Sequence, residues 1–182
     1  MTAAAARTLV LMRHAKSAWP DVPDHERPLA GRGRRDAPAA GRWLRDHGCV
    51  PDRVLCSTAR RARETWELVA DGLEITTLVS FEAAIYQATG AELLNVVRRV
   101  APPTLALLVI GHDPAIQDLA VTLTESGNGS AGRPDAGADR MAVKFPTAAI
   151  AVSTFAGSWK GLRPGQARLA RFITPREIRT PN

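Results

Sequence analysis

Residues 104–110 (TLALLVI) constrain the fold more than any other stretch of this chain. Nearly continuous apolar residues follow the breaker pair Pro102-Pro103, the pattern of a strand buried in a sheet. Shorter runs at 8–12, 53–56 and 75–81 read as further strands. Residues 149–155 and 168–173 read as two late strands whose Gly-rich connection suits a hairpin. Amphipathic stretches lie between them. Residues 34–46 carry Ala37, Ala40, Leu44 and His47 near one face, and residues 59–71 carry Ala62, Trp66 and Val69, with Leu73 just beyond. Residues 91–101 group Leu93, Leu94, Val97 and Val100, and residues 115–124 group Ile116, Leu119, Ala120 and Leu123. Strand–helix alternation predicts an α/β fold: a three-layer α/β/α sandwich around a mostly parallel sheet of about six strands, covered on both faces. Ligands bind such sheets beyond the carboxyl ends of the strands.

The chain's 182 residues suit one domain, taken as 1–182 with its core at 8–178. Residues 125–140 are polar and Gly-rich and read as a long mobile loop. Of 24 basic residues only Lys16, Lys144 and Lys160 are lysines, and the net charge is +6. Arginine binds phosphate through a fork that lysine lacks, but a GC-rich coding sequence gives the same bias, so charge alone does not choose. Cys49 and Cys56 show neither CxxC nor metal spacing and call for no oxidising compartment. The apolar run 9–12 is too short for a signal h-region or a membrane span. The expectation is a cytoplasmic, monomeric protein away from membranes. Aromatic residues are scattered rather than interleaved with basic ones, which argues against nucleic acid.

Three features fall just after predicted strands. Arg13-His14 closes the first; taken alone, a core histidine explains it better. In Ser57-Thr58-Ala59-Arg60-Arg61-Ala62-Arg63-Glu64-Thr65, Ser57 reads as an N-cap followed by three arginines. Cations at a helix N-terminus are disfavoured by about 0.3–1 kcal/mol each, a cost that a bound anion reverses. In Gly111-His112-Asp113-Pro114, His112 points off a strand end, with Asp113 read as a cap and Pro114 at the first helical position. Together they place two histidines and at least two arginines on one side of one sheet.

In this order and spacing the motifs resemble the histidine phosphatase superfamily, and within it the short phosphohistidine-phosphatase (SixA-like) group. The RH motif falls on Arg13 and His14. The S-x-x-x-R-A-x-(Q/E)-T motif falls on Ser57, Arg61, Ala62, Glu64 and Thr65. The (V/I)-G-H-(N/D)-P motif falls on Gly111 to Pro114, and R-P-L-x-x-x-G on Arg27, Pro28, Leu29 and Gly33. The resemblance implies a phosphoglycerate-mutase-like fold and a phosphatase working through a phosphohistidine on His14. Arg13, Arg61 and a charged His112 would hold the phosphoryl oxygens, with Arg27 and Ser57 as further substrate contacts and neither metal nor cofactor.

Two departures bear on substrate. Ala15 replaces the usual Gly. Gln87 stands where relatives with ester substrates place a glutamic acid. Glu82, Asp21, Asp24 and Asp113 remain as candidate acids, Glu82 being nearest in sequence. Imidazole, with a conjugate-acid pKa of about 6.5, leaves without a strong acid. The expected substrate is therefore a phosphorylated protein, such as a histidine phosphotransfer domain. A small phosphate ester and a non-catalytic phosphate-binding module are the competing readings.

Overall fold

In a computed structural model, residues 6–124 and 136–180 are described. The elements run β1 (Ala6–Arg13), α1 (Gly31–Asp46), β2 (Arg53–Ser57), α2 (Arg60–Leu73), β3 (Leu78–Glu82), α3 (Gly90–Val97), β4 (Ala106–Gly111), α4 (Ala115–Thr124), α5 (Ala136–Val143), β5 (Ile150–Ala156), β6 (Arg168–Ile173) and α6 (Pro175–Arg179). The strand order is β3-β2-β4-β1-β5-β6. The first four of these are mutually parallel, while β5 runs antiparallel to β1 and β6 antiparallel to β5.

Side-chain alternation along the strands builds the layers. Leu107 and Val109 of β4 join Leu9, Leu11 and Leu55 in a core shared with α3 and α4. Leu108 and Ile110 join Val10, Met12, Val54 and Cys56 in a second core beneath α1 and α2. This is the three-layer α/β/α sandwich expected from the sequence. The same register sets the site. Arg13 lies opposite Gly111, and Cys56 opposite Ile110, so β1, β4 and β2 end side by side.

Several boundaries differ from expectation for physical reasons. Helix α1 starts at Gly31 rather than 34, because the Ala30 N–H donates to Lys16 O (2.8 Å) and Gly33 must lie against the Lys16 backbone. Strand β3 starts at Leu78 rather than 75: its one partner, β2, begins at Arg53 opposite Leu78. Within the expected loop 125–140, residues 136–140 belong to α5. That helix is tied to α4 by Gln117 Nε2, which donates to Met141 O (2.9 Å) and Ala142 O (2.8 Å). Residues 125–135 lie outside the described part.

Helices α1 and α2 cross at two glycines. A Cβ on Gly41 would collide with Val69 O, and one on Gly72 with Pro38 O. Gly72→Ala is therefore expected to lower stability by about 1–3 kcal/mol through overpacking, although alanine is the better helix former. A lower midpoint in urea unfolding with an unchanged m-value checks this.

Candidate active site

At the carboxyl ends of β1, β2 and β4, a cavity of about 310 Å³ is lined by Arg13, His14, Arg61 and His112, with Lys16, Ser17, Trp19, Asp24, Arg27, Tyr86, Gln87, Asp113 and Thr147. His14 follows β1 directly. Its backbone N–H donates to Gly111 O (2.9 Å), and the next N–H, of Ala15, donates to Thr65 Oγ1 on α2 (3.0 Å). The ring is buried, and its Nδ1 lies 2.8 Å from Ala15 O. A carbonyl only accepts, so Nδ1 carries the proton and Nε2 keeps its lone pair. That Nε2 accepts from Arg61 Nε at 3.3 Å. Burial above all, with His112, Arg61 and Arg13 adding to it, lowers the His14 pKa to about 3 against the opposing bond to Ala15 O. The ring is neutral at neutral pH, as a nitrogen nucleophile must be.

Of the three arginines in the first turn of α2, Arg61 alone turns inward; Arg60 and Arg63 are exposed, and Arg60 Nε donates to Glu64 Oε1 (2.8 Å). Adjacent helical residues point about 100° apart, which is why one of the run faces the site. Arg61 Nη1 donates to Asp24 O (2.6 Å) and Nη2 to Asp24 Oδ2 (3.0 Å), with His112 Nδ1 3.4 Å from Nη2. His112 Nε2 in turn meets Ser57 Oγ at 2.7 Å. Burial, then the nearby Arg61, lowers the His112 pKa to about 4. In the site as it stands this favours the neutral His112 ring, so the charge expected of it has to come with the phosphoryl group. Arg13 Nη1 donates to Phe145 O (2.8 Å) and pairs with Asp113 Oδ2 (3.3 Å).

Four other sequence expectations meet a different geometry. Ser57 is fully buried and is not part of the cavity wall; its Oγ orients His112 and accepts from the Ala59 N–H (3.3 Å), while the N-cap of α2 is Ala59. Arg27 reaches the cavity wall and is braced there, one N–H of each nitrogen donating to Ala18 O (3.0 Å), Asp24 Oδ1 (2.9 Å) and Ser17 Oγ (2.8 Å). Asp113 pairs with Arg13 rather than capping α4, and burial raises its pKa. Glu82, at the end of β3, is not brought to the site: it lines a separate cavity with Arg53, Leu55 and Arg99. Gln87 does line the active cavity.

The residue whose weight the sequence reading underestimated is Asp24. Its carboxylate accepts from Tyr86 Oη (2.8 Å), Arg27 and Arg61. The Tyr86 and Arg27 bonds lead in holding its pKa far below the usual carboxylate range. It is ionised and cannot serve as a proton donor. Its i, i+3 spacing to Arg27 was a visible signal. Tyr86 and Trp19 carried none. Among the described residues, no group of three or more His, Cys, Asp or Glu is placed to hold a metal ion.

A buried histidine flanked by arginines thus sits at the strand ends of an α/β/α sandwich, a set of groups suited to a phosphoryl group. The comparisons make the class specific. The model of the histidine phosphatase superfamily (branch 1) matches residues 9–84. The Mycobacterium tuberculosis protein Rv1276c is 43% identical over 166 residues, spanning 91% of this chain and 100% of that protein. A structure from Nakamurella multipartita assigned as the phosphohistidine phosphatase SixA is 35% identical, with a TM-score of 0.84 over 95% of this chain and 98% of its own. The protein histidine phosphatase SixA complexed with tungstate shares the fold, with a TM-score of 0.70 at 23% identity over 94% and 99% of the two chains. The chain belongs to the histidine phosphatase superfamily, in its SixA-like group, and is a hydrolase with the phosphoglycerate-mutase-like fold.

Two histidines with depressed pKa values give a direct check. In an NMR titration, the ring protons of His14 and His112 are expected to show no inflection between pH 5 and 8, since the rings protonate at about pH 3 and 4. An inflection near 6.5 for either ring would contradict the buried geometry.

Proposed function

We propose that this chain is a metal-independent phosphatase that carries the phosphoryl group on Nε2 of His14 and acts on phosphohistidine borne by a protein. The observation that carries this reading is the bond from His14 Nδ1–H to Ala15 O, which leaves Nε2 unprotonated, its lone pair accepting only a long bond from Arg61 Nε that an incoming phosphoryl group displaces. In the first step Nε2 attacks phosphorus and the bond to the leaving group breaks. Arg13 and Arg61 stabilise the equatorial oxygens. The dianionic phosphoryl group counters the arginines' pull on His112 and favours its protonation, which makes it a third donor. Water then attacks the phosphohistidine, releases orthophosphate and restores neutral His14.

The leaving group follows from the acids around the cavity. Gln87 has no titratable proton, Asp24 is ionised, Glu82 lies elsewhere, and Asp113, whose pKa burial raises, is paired with Arg13. An alkoxide leaving group needs a positioned acid, whereas an imidazole protonated at its far nitrogen does not. The similarity to a protein assigned as the phosphohistidine phosphatase SixA supports the same choice. A cytoplasmic, monomeric enzyme fits this reading. Cys49 and Cys56 are both free thiols, and among the described residues no helix is long and apolar enough to cross a membrane.

His14→Ala is expected to abolish turnover and phosphoenzyme labelling while leaving the circular dichroism spectrum unchanged. Near-normal turnover in that variant sinks the covalent mechanism. Arg61→Ala is expected to reduce kcat/KM by about 100- to 1000-fold or more, and Arg60→Ala by less than about threefold, since Arg60 faces Glu64. EDTA is expected to leave the rate unchanged. Loss restored by Mg²⁺ or Zn²⁺ would place the chemistry on a metal.

A further inference from the structure

Trp19 is 77% exposed, yet it forms part of the wall of the cavity that holds His14 and Arg61. It is held in place. The Arg27 guanidinium carbon lies 3.2 Å from the indole centroid, and Arg27 itself is fixed by its bonds to Ala18 O, Asp24 Oδ1 and Ser17 Oγ. The segment carrying them is pinned at both ends. Ala18 N–H donates to Pro28 O (2.9 Å), and Ala30 N–H to Lys16 O (2.8 Å). A large, exposed and pre-positioned ring at the mouth of a phosphate site is arranged to meet a flat ligand. With the Arg27 guanidinium over one face of the indole, the other face is left for a planar ring. Beside it, Asp24 is half-exposed, and its Oδ1 has one described partner, Arg27 Nη1. A carboxylate oxygen accepts more than one hydrogen bond, so Oδ1 keeps acceptor capacity.

We propose that Trp19 is the platform on which the leaving imidazole of a phosphohistidine stacks, while Asp24 Oδ1 accepts the proton-bearing nitrogen far from phosphorus. The proposal rests on the phosphohistidine reading above and specifies how the site recognises that leaving group. The transfer balances without an external acid. The His14 Nε2 lone pair forms the new P–N bond, and the old P–N bond breaks with its electron pair returning to the leaving nitrogen. The distal N–H proton stays on the departing ring, which leaves as neutral imidazole. Asp24 thereby stabilises the protonated, reactive form of the substrate by accepting its hydrogen bond, which removes the need for the proton donor that an ester requires.

Phosphoimidazole and phosphoramidate separate the two ideas, because both carry a P–N bond and only the first carries a ring. In Trp19→Ala the ratio of kcat/KM for phosphoimidazole to that for phosphoramidate is expected to fall about three- to tenfold, mostly through KM. Trp19→Phe is expected to restore most of it. Asp24→Asn, which keeps the side-chain shape, is expected to lower the same ratio. An unchanged ratio in Trp19→Ala overturns the platform while leaving the phosphohistidine reading intact. Wild-type enzyme that hydrolyses alkyl phosphates but neither P–N compound overturns the phosphohistidine reading, and the platform with it.

Discussion

The site depends on one hydrogen bond, from His14 Nδ1–H to the carbonyl of its own neighbour Ala15. That bond fixes the tautomer, and the tautomer leaves Nε2 as a base with nothing to donate. Burial then makes the neutral ring the stable form, and the surrounding cations reinforce it. The consequence is a ring nitrogen that, as the proposed nucleophile, needs no separate base to deprotonate it. The strands supply the rest: β1, β2 and β4 end in register, so His14, His112 and Ser57 are delivered together by backbone pairing.

Around this centre Asp24 organises the positive charge. Three arginines near one buried histidine would repel one another. The carboxylate of Asp24 bridges Arg61 and Arg27 and takes the Tyr86 hydroxyl as well. It accepts from Arg61 through both its side chain and its backbone carbonyl, which sets the guanidinium in two directions. Asp113 plays the corresponding part for Arg13. Each arginine is therefore held in a fixed position, an arrangement that, in the proposed reaction, lowers the reorganisation needed.

The layers and the four central residues were legible because strong, local signals encode them. The run ending at Ile110 marks a central strand, and motif spacing selects Arg61 from a run of three arginines. The roles of Ser57, Arg27 and Asp113 were not legible. Each is a polar side chain near the site, and sequence says which loop it occupies but not which partner satisfies it. Ser57 turned out to orient His112, Arg27 to brace Trp19 and Asp24, and Asp113 to hold Arg13. Glu82 illustrates a related limit: proximity along the chain does not say which cavity a residue lines, and Glu82 lines the one it shares with Arg53 and Leu55. Tyr86 reaches Asp24 across 62 positions, a contact no local pattern announces.

The crossing at Gly41 and Gly72 has a consequence beyond packing. Helix α2 carries Arg61 and rests backbone to backbone on α1, so it has no soft direction in which to yield toward α1. The cavity therefore has one stiff wall and one made of the turn-rich segment between Lys16 and Ala30. The second is braced by its own hydrogen bonds rather than by helix packing. Asp24 within that segment holds Arg61, so only sequence change that spares Asp24 can reshape this wall while the placement of Arg61 beside His14 stays the same.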